Sequence, residues 1–211
     1  MVRSGYDDAA VMRAALAAKA GDRAATSVFV QLTQPSVRRF LYHLCDPTEV
    51  DDLTQETYLR ALRSLRRFAG RSSAQTWLLA IARNVAADHV RAAARRPRPA
   101  SLDARDVAAL TPRTLRSAAF DDGVALRHLI DELSPDRREA FIATQVLGLS
   151  YAEAADVCGC PVGTIRSRVA RARDDLITAY RHEQPEPREQ PERRDQPERR
   201  DQPEPREQGA I

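Results

Sequence analysis

Two helix signals separated by a tight turn, between residues 150 and 176, restrict the fold more than any other feature of the sequence. Ser150-Tyr-Ala-Glu153 has the form of a capping box, in which serine and glutamate satisfy free N–H groups at the start of a helix. Gly159-Cys160 then supplies a turn, and Pro161 is acceptable at the start of the next helix. Apolar residues follow at helical spacing, at Val162, Ile165, Val169, Ala172 and Leu176. The pattern predicts a helix-turn-helix.

The second helix of this motif carries concentrated positive charge. Between Pro161 and Arg173 there are four arginines and no acidic residue, and small residues such as Gly163 and Ala170 lie opposite the apolar stripe. Such a helix attracts phosphates, and its small residues permit close approach to base edges in a major groove. DNA binding is therefore predicted, and a basic, solvated helix in an unrelated bundle is the alternative.

The rest of the chain also has helical periodicity. Four helices are predicted in its first part, around residues 9–20, 27–44, 50–65 and 76–95. Another opens at Ser134-Pro135 and ends near Gly148. No Asn-Gly or Asp-Gly turn lies between two alternating apolar runs, so an all-α fold is favoured.

The apolar positions of these helices predict the core. In the third helix they are Val50, Leu53, Tyr58, Ala61, Leu62 and Leu65. Thr48 is the expected N-cap of that helix. In the fourth helix Trp77 falls on the same stripe as Ile81 and Val85, so core packing is favoured over base stacking for its ring.

Charge and proline are unevenly distributed along the 211 residues. The formal net charge is +3, but the stretch 184–207 holds six Arg and eight Asp or Glu in four six-residue repeats of the QPEPRE and QPERRD type. A segment without apolar side chains other than proline cannot bury a core. We expect two small helical domains at residues 1–96 and 122–182, a flexible linker at 97–121 and a disordered tail at 183–211.

Composition excludes several classes of protein. No window approaches the roughly 18 to 20 apolar residues of a spanning helix, and the N-terminus lacks the apolar core of a signal peptide, so a cytoplasmic protein without membrane insertion is expected. Cys45, Cys158 and Cys160 are too few for a disulfide framework, and buried thiols are favoured over metal binding or redox sensing. No catalytic triad or Gly-rich phosphate loop is recognisable, so we expect no enzyme, no metal and no cofactor.

Three motifs resemble those of a known family, in the same order. They are Asp51–Thr57 (DDLTQET), Trp77–Asn84 (WLLAIARN) and Gly148–Asp174 (GLSYAEAADVCGCPVGTIRSRVARARD). All three are similar to motifs of the extracytoplasmic-function (ECF) branch of the sigma-70 family of bacterial sigma factors, most of all the actinobacterial sigma C type. The resemblance covers nearly all of residues 8–180 and implies a sigma region 2 domain followed by a sigma region 4 domain.

The resemblance implies that the chain binds core RNA polymerase, through the β′ coiled coil and the β subunit. In the family an acidic-polar helix docks on the β′ coiled coil, and the matching residues here are Asp51, Asp52, Gln55 and Glu56. Acids at a helix start also complement the helix dipole, which is the structural alternative. An anti-sigma factor, a separate chain that binds the same two domains, is a further partner in the family, and whether this chain has one is left open.

Promoter DNA is the second partner that the resemblance implies. Minus-ten recognition would fall to Arg83, Asn84, Asp88 and Arg91, and the loop at 68–74 would capture a base that leaves the stack. Minus-thirty-five recognition would fall to Tyr151, Thr164, Arg166, Ser167, Arg168, Arg171 and Arg173. For Arg173, an ion pair with Asp174 or Asp175 is the structural alternative. Ala152 and Ala170 depart from some relatives, so the promoter sequence cannot be transferred from them.

The expected function is therefore that of an ECF sigma factor, which directs core polymerase to specific promoters and assists promoter opening. The main alternative is a helix-turn-helix repressor or activator that acts without polymerase. That alternative leaves the acidic helix and the motif Trp77–Asn84 unexplained. A nucleic-acid enzyme is a third reading, which lacks a recognisable set of catalytic residues.

Overall fold

The computed structural model describes residues 8–95 and 127–183, and every regular element within these ranges is helical. The α-helices are α1 (Asp8–Lys19), α2 (Arg23–Leu44), α3 (Val50–Ser64), α4 (Ala74–Arg95), α5 (Pro135–Phe141), α6 (Tyr151–Cys158) and α7 (Val162–Glu183). Shorter elements are the 3-10 turns Pro47–Glu49 and Leu65–Arg67, the π turn Ile142–Val146, and a helical segment over residues 127–132. The all-α fold is confirmed for the described residues. The predicted linker and the tail repeats lie outside them, and the predicted domain boundaries stay predictions.

Helices α1 to α4 form the first domain around large apolar side chains. Helix α2 packs against α1, α3 and α4, and Phe29, Phe40 and Leu78 are completely buried between them. Each such side chain stabilises the fold by about 1.5–3 kcal/mol through the apolar surface that it removes from water. Trp77 packs half-buried against this core, with its ring centroid 4.9 Å from that of Phe68. Its predicted place in the core is confirmed.

A buried pair of hydroxyl groups fixes α3 against α2. The hydroxyls of Thr33 and Tyr58 lie 2.8 Å apart, and Thr33 also donates to the carbonyl of Phe29 at 2.7 Å. Burial raises the pKa of Tyr58 to about 12, so its hydroxyl keeps its proton at neutral pH and remains able to donate. Because buried polar groups are costly unless they are paired, this contact holds α3 in one rotation about its axis. The opposite face of α3 is consequently presented to solvent.

The second domain has a smaller core made largely of alanine. Ala140, Ala143 and Ala154 are completely buried, together with Ile165 and Val169 of α7. Small side chains allow close approach of the short helices α5 and α6 to α7. Ile165, Val169 and Ala172 of the stripe predicted for α7 face the core, and Leu176 is half-buried. Val162, the first residue of the helix, is 37% exposed, so the prediction is wrong at that end.

The helix-turn-helix begins and turns as the sequence predicts. Ser150 Oγ accepts from the backbone N–H of Glu153 at 3.2 Å, and the Glu153 carboxylate accepts from the backbone N–H of Ser150 at 2.8 Å. The helix ends at Gly159, whose φ of 63° lies in the left-handed region that glycine adopts without strain. The capping box and the turn between α6 and α7 are confirmed.

A π turn separates α5 from the helix-turn-helix. The N–H of Leu147 donates to the carbonyl of Ile142, five residues back, at 3.0 Å. Gly148 follows with φ 72° and ends the helical run, near the predicted end. The π turn carries Gln145, whose side chain reaches α7.

The two domains pack against each other over an apolar contact. Helix α4 lies against α6, and α2 lies against α5 and the π turn. Four buried residues of the second domain join the core of the first, namely Ile130, Ile142, Leu147 and Val157. The guanidinium of Arg127 lies 3.8 Å from the ring centroid of Tyr42, which adds a cation–π contact.

Two sequence predictions about helix starts are wrong. Thr48 does not cap α3, because Asp46 caps the preceding 3-10 turn and accepts from both the N–H and the hydroxyl of Thr48, at 2.9 and 2.7 Å. Helix α2 begins at Arg23, four residues before the predicted start, because Asp22 accepts from the N–H of Ala25 at 3.1 Å and so caps it. Within the described ranges, no helix is long and apolar enough to cross a membrane.

Candidate functional site

The exposed face of α3 carries the four residues predicted to bind polymerase. Asp51, Asp52 and Gln55 are exposed, and Glu56 is half-buried. Arg38 of α2 binds Asp51 in an ion pair, and Arg60 donates to Glu56 at 2.7 Å. Asp52 and Gln55 have no side-chain partner among the described residues.

Two leucines extend this face in a way that the sequence reasoning missed. Leu59 is 50% exposed and Leu62 is 39% exposed, although the periodicity of α3 assigns Leu62 to the core. That assignment is wrong because the buried side of α3 is centred on Thr54, Thr57 and Ala61, and Leu62 lies about 100° from it around the helix. The sequence held a signal for this face, because residues three or four apart lie on one side of a helix. The residues with this spacing are Asp52, Gln55, Leu59 and Leu62. We call the residues Asp51, Asp52, Gln55, Glu56, Leu59 and Leu62 the α3 surface.

The residues predicted to read the minus-ten element lie on α4 and are mostly engaged in ion pairs. Arg83 donates to Glu139 at 2.6 Å. Asp88 accepts from Arg60 and from Arg91, both at 2.6 Å. Asn84 is exposed and has no side-chain partner among the described residues. We call the residues Arg83, Asn84, Asp88 and Arg91 the α4 surface.

The pair of Arg83 with Glu139 crosses the boundary between the two domains. The side chain of Glu139 is only 8% exposed, whereas that of Arg83 is 32% exposed. Burial raises the pKa of the Glu139 carboxyl, and the hydrogen bond and charge of Arg83 offset only part of that rise. A groove of about 280 Å³ lies beside the pair, lined by Leu44, Val90 and Pro135 among others.

The residues predicted to read the minus-thirty-five element lie on α6 and α7. The arginines Arg166, Arg171 and Arg173 and the residues Ser167 and Tyr151 are exposed, whereas Thr164 and Arg168 are half-buried. We call the seven predicted residues on these two helices the α7 surface. Arg166 and Arg171 have no side-chain partner among the described residues, so both cations are free to meet an anion.

The other two arginines of α7 are tied to neighbouring segments. Arg168 binds Asp136 of α5 and donates to the Sγ of Cys160 at 3.6 Å. Arg173 donates to Gln145 of the π turn at 2.9 Å, so the alternative ion pair with an adjacent aspartate does not form. Asp175 instead binds Arg137 of α5 at 2.6 Å.

The three cysteines are free thiols in the described structure. Cys158 is buried, and burial raises its pKa to about 12, whereas Cys45 is half-buried with a pKa raised to about 11 by the same cause. Thiols with such pKa values stay protonated at neutral pH, which makes them poor nucleophiles. The preference for packed thiols is confirmed for Cys158. Within residues 8–95 and 127–183, no group of three His, Cys, Asp or Glu side chains could hold a metal ion.

Arg60 and Glu139 are two charged residues that the sequence reasoning did not single out. Arg60 lies on α3 and binds Asp88 of the α4 surface. Glu139 lies on α5 and binds Arg83 of the α4 surface across the domain boundary. Their partners are 28 and 56 residues away in sequence. No local spacing rule could have found these contacts.

Two family models match the chain, one on each domain. The model of Sigma-70 region 2 matches residues 29–96, and the model of Sigma-70, region 4 matches residues 123–176. The first range holds the α3 and α4 surfaces, and the second holds the α7 surface.

Curated relatives agree with these matches over most of the chain. The ECF RNA polymerase sigma factor SigC of Mycobacterium tuberculosis (strain CDC 1551 / Oshkosh) is 51% identical over 177 residues, which cover 84% of this chain and 95% of the relative. The ECF RNA polymerase sigma-E factor of Escherichia coli (strain K12) is 32% identical, over 74% of this chain and 86% of the relative. The chain therefore belongs to the ECF family of RNA polymerase sigma factors, as the sequence motifs predict.

Solved structures share the fold. The sigma factor RpoE from Bartonella quintana, solved in complex with the anti-sigma factor NepR, is 30% identical with a TM-score of 0.58, over 74% of this chain and 96% of that one. CnrH, solved in complex with the cytosolic domain of CnrY, has a TM-score of 0.65 at 23% identity, over 83% of this chain and 99% of that one.

Proposed function

We propose that this protein is a promoter-specificity subunit that binds core RNA polymerase, directs it to two promoter elements and assists strand opening. The observation that carries the proposal is the separation of charge between exposed surfaces. The α3 surface is acidic and apolar, whereas residues 162–173 of α7 hold four arginines and no acid. A chain that bound DNA alone would need only the second of these.

The α3 surface suits a basic protein partner. Two of its acidic side chains, Asp51 and Asp52, are exposed, and the neighbouring Leu59 and Leu62 add apolar area that a partner can cover. Exposed apolar residues beside charged ones are typical of protein interfaces, whereas a nucleic acid would be repelled by the acids. We assign this surface to the β′ coiled coil of polymerase, with the β subunit as a further contact of the protein.

The α4 and α7 surfaces suit DNA in two different states. Helix α7 stands at the end of a helix-turn-helix, so Arg166 and Arg171 can enter the major groove of a duplex. Asn84 offers an amide that can read a base edge, and Arg91 a cation for the backbone of a separated strand. We assign the duplex upstream element to α7 and the opened minus-ten element to α4.

The proposed role as a subunit of polymerase also determines where the protein acts, whether it is an enzyme and which other partner it has. As a binding subunit of polymerase the protein acts in the cytoplasm, and it is a regulatory initiation factor without enzymatic activity of its own. Because RpoE of Bartonella quintana binds the anti-sigma factor NepR, we propose that a partner of that class can bind this chain too.

Transcription in vitro tests the proposed function directly. Core polymerase with and without the protein is given a library of bacterial promoters, and new start sites are mapped. We expect a set of start sites that depends on the protein. The proposal fails if no new sites appear and the protein without polymerase protects duplex operator DNA.

Charge reversal on α3 tests the polymerase contact separately. The double variant Asp52→Lys, Glu56→Lys should weaken association with core polymerase more than about 100-fold, because like-charge juxtaposition at an interface costs several kcal/mol. Helical content should stay unchanged, since Asp52 is exposed and Glu56 only half-buried. The matched control, Asp156→Lys with Asp174→Lys, reverses two exposed acids of the second domain. Equal association of both variants would place the polymerase contact elsewhere.

A further inference from the structure

Four charged side chains connect the α3 surface to the α4 surface. Glu56 Oε1 accepts from Arg60 Nε at 2.7 Å, and Arg60 Nη1 donates to Asp88 Oδ2 at 2.6 Å. Arg91 Nη2 donates to the other oxygen, Asp88 Oδ1, at 2.6 Å. Arg60 is thus shared by two carboxylates, and Asp88 is shared by two guanidiniums. We call Glu56, Arg60, Asp88 and Arg91 the charge relay.

The charge relay contributes little to the stability of the fold. Its side chains are 39% to 63% exposed, and exposed ion pairs of this kind contribute little to stability because water and salt screen them. Helices α3 and α4 are held together instead by buried residues such as Tyr58 and Leu78. Changes within the relay should therefore alter how its side chains are oriented without unfolding the domain.

Asp88 is better suited to orienting cations than to touching DNA. Hydrogen bonds from Arg60 and then Arg91 lower its pKa, so it is ionised at neutral pH. An ionised carboxylate repels phosphate, although the sequence motif places Asp88 among the minus-ten residues. Its two oxygens instead hold the guanidiniums of Arg60 and Arg91.

We propose that Arg60 is a positioning residue that couples polymerase binding at Glu56 to strand binding at Arg91, a proposal that rests on the function proposed above. When a basic group of polymerase binds Glu56, Arg60 Nε loses its acceptor. The guanidinium of Arg60 then forms a bidentate pair with Asp88 through two parallel N–H groups, because that is the stronger geometry. Arg60 thereby competes with Arg91 for Oδ1 of Asp88, so Arg91 is held more weakly and turns toward the opened strand.

The test is carried out on the holoenzyme. The probe is a labelled single-stranded oligonucleotide with the minus-ten element of a promoter selected in the transcription assay, and its dissociation constant is measured with saturating core polymerase. Without Arg60, no second guanidinium competes for Asp88, so Arg91 stays bound to it. Arg60→Ala should therefore weaken strand binding about fivefold, the size of one exposed ion pair, while association with core polymerase stays within about twofold of wild type.

A second variant distinguishes positioning from mere structural support. Adding Asp88→Asn to Arg60→Ala should restore strand binding to within about twofold of wild type, because the amide no longer retains Arg91. A structural role predicts that the double variant is as weak as the single variant or weaker. Arg63→Ala is the matched control, since it removes an exposed arginine of α3 that has no side-chain partner among the described residues.

The outcomes separate the relay from the proposed function. The charge relay is wrong if Arg60→Ala binds the strand as tightly as Arg63→Ala does, or if the double variant binds it no more tightly than Arg60→Ala. In both cases the wild-type holoenzyme still binds DNA, so the proposed function is unaffected. If the wild-type chain forms no holoenzyme, the proposed function fails and the relay fails with it. Circular dichroism checks folding, and Arg60→Gln replaces Arg60→Ala if the alanine variant unfolds.

Discussion

Helices α4 and α7 hold their cations in different ways. On α4, Arg83 is bound to Glu139 and Arg91 to Asp88. On α7, Arg166 and Arg171 point into solvent without a side-chain partner among the described residues. A phosphate that binds Arg166 or Arg171 displaces only water and counterions, whereas a phosphate that binds Arg83 or Arg91 also replaces a carboxylate. We therefore expect α7 to be ready for duplex DNA and α4 to require a rearrangement first.

The largest expected effect follows from the free cations of α7. Arg171→Ala should weaken binding of the holoenzyme to the upstream promoter element by about 1–3 kcal/mol if Arg171 reads a base, and the loss should depend on the sequence of that element. Competition binding with a set of duplex oligonucleotides measures it. The fold should be unaffected because the side chain is exposed.

Arg173→Ala is the matched comparison for Arg171→Ala. Its guanidinium is already hydrogen-bonded to Gln145, so its loss should cost less binding energy. An equal loss for Arg171→Ala on every sequence would mark Arg171 as a phosphate contact. A larger loss for Arg173→Ala would contradict the distinction between free and tied arginines on α7.

An intermediate effect is expected from Glu139, the carboxylate that holds a cation of α4. Burial raises its pKa above the ordinary 4.5, so the native chain holds this proton more tightly than the unfolded chain does. The resulting stabilisation is complete below the ordinary pKa and is lost as the pH rises through the raised pKa. Urea unfolding from about pH 4 to pH 7 should show this decline in wild type and lack it in Glu139→Gln.

Glu132→Gln is the control for Glu139→Gln. The Glu132 carboxylate is 56% exposed, so neutralising it should leave the pH dependence of unfolding close to that of wild type. If the two glutamine variants have the same pH dependence, the carboxyl of Glu139 is not the source of the decline. The pair of Arg83 with Glu139 would then contribute no more to the pH dependence of unfolding than the exposed charges of α7 do.

The smallest expected effect concerns the one α7 arginine that is bound to an aspartate. Asp136→Asn releases Arg168 from an ion pair whose carboxylate is 64% exposed, and exposed pairs contribute about 0.2–1 kcal/mol. Duplex binding should therefore strengthen, by at most about fivefold. Asp156→Asn makes the same change of charge on α6 at an exposed residue without a side-chain partner among the described ones. An equal gain from both would show a general effect of net charge.

The helix-turn-helix could be predicted from the sequence because its determinants are local. Ser150 and Glu153 are three residues apart, Gly159 needs only its own backbone conformation, and the stripe of α7 repeats every three or four residues. Each signal acts within a single helix or turn. The family motifs placed the same residues on the same helices, and the structure agrees with both.

The contacts that distinguish α4 from α7 could not be predicted in this way. Arg83 meets Glu139 only because the two domains pack together, and Arg60 meets Asp88 only because α3 packs beside α4. Leu62 is predicted in the core because spacing alone does not fix the rotation of α3, which packs with Thr54, Thr57 and Ala61 toward the other helices. Such contacts depend on tertiary packing, which periodicity does not encode.

The π turn at Ile142–Val146 makes one stretch of the chain tolerant of a change in length. A π turn holds one residue more than an α turn, so deletion of a single residue there would leave a regular α-helix between the same flanking segments. The same deletion at the start of α7 would rotate all later residues by about 100° about the helix axis, so that Ile165 and Val169 would no longer face the core. Insertions and deletions should therefore accumulate at the π turn and be excluded from α7.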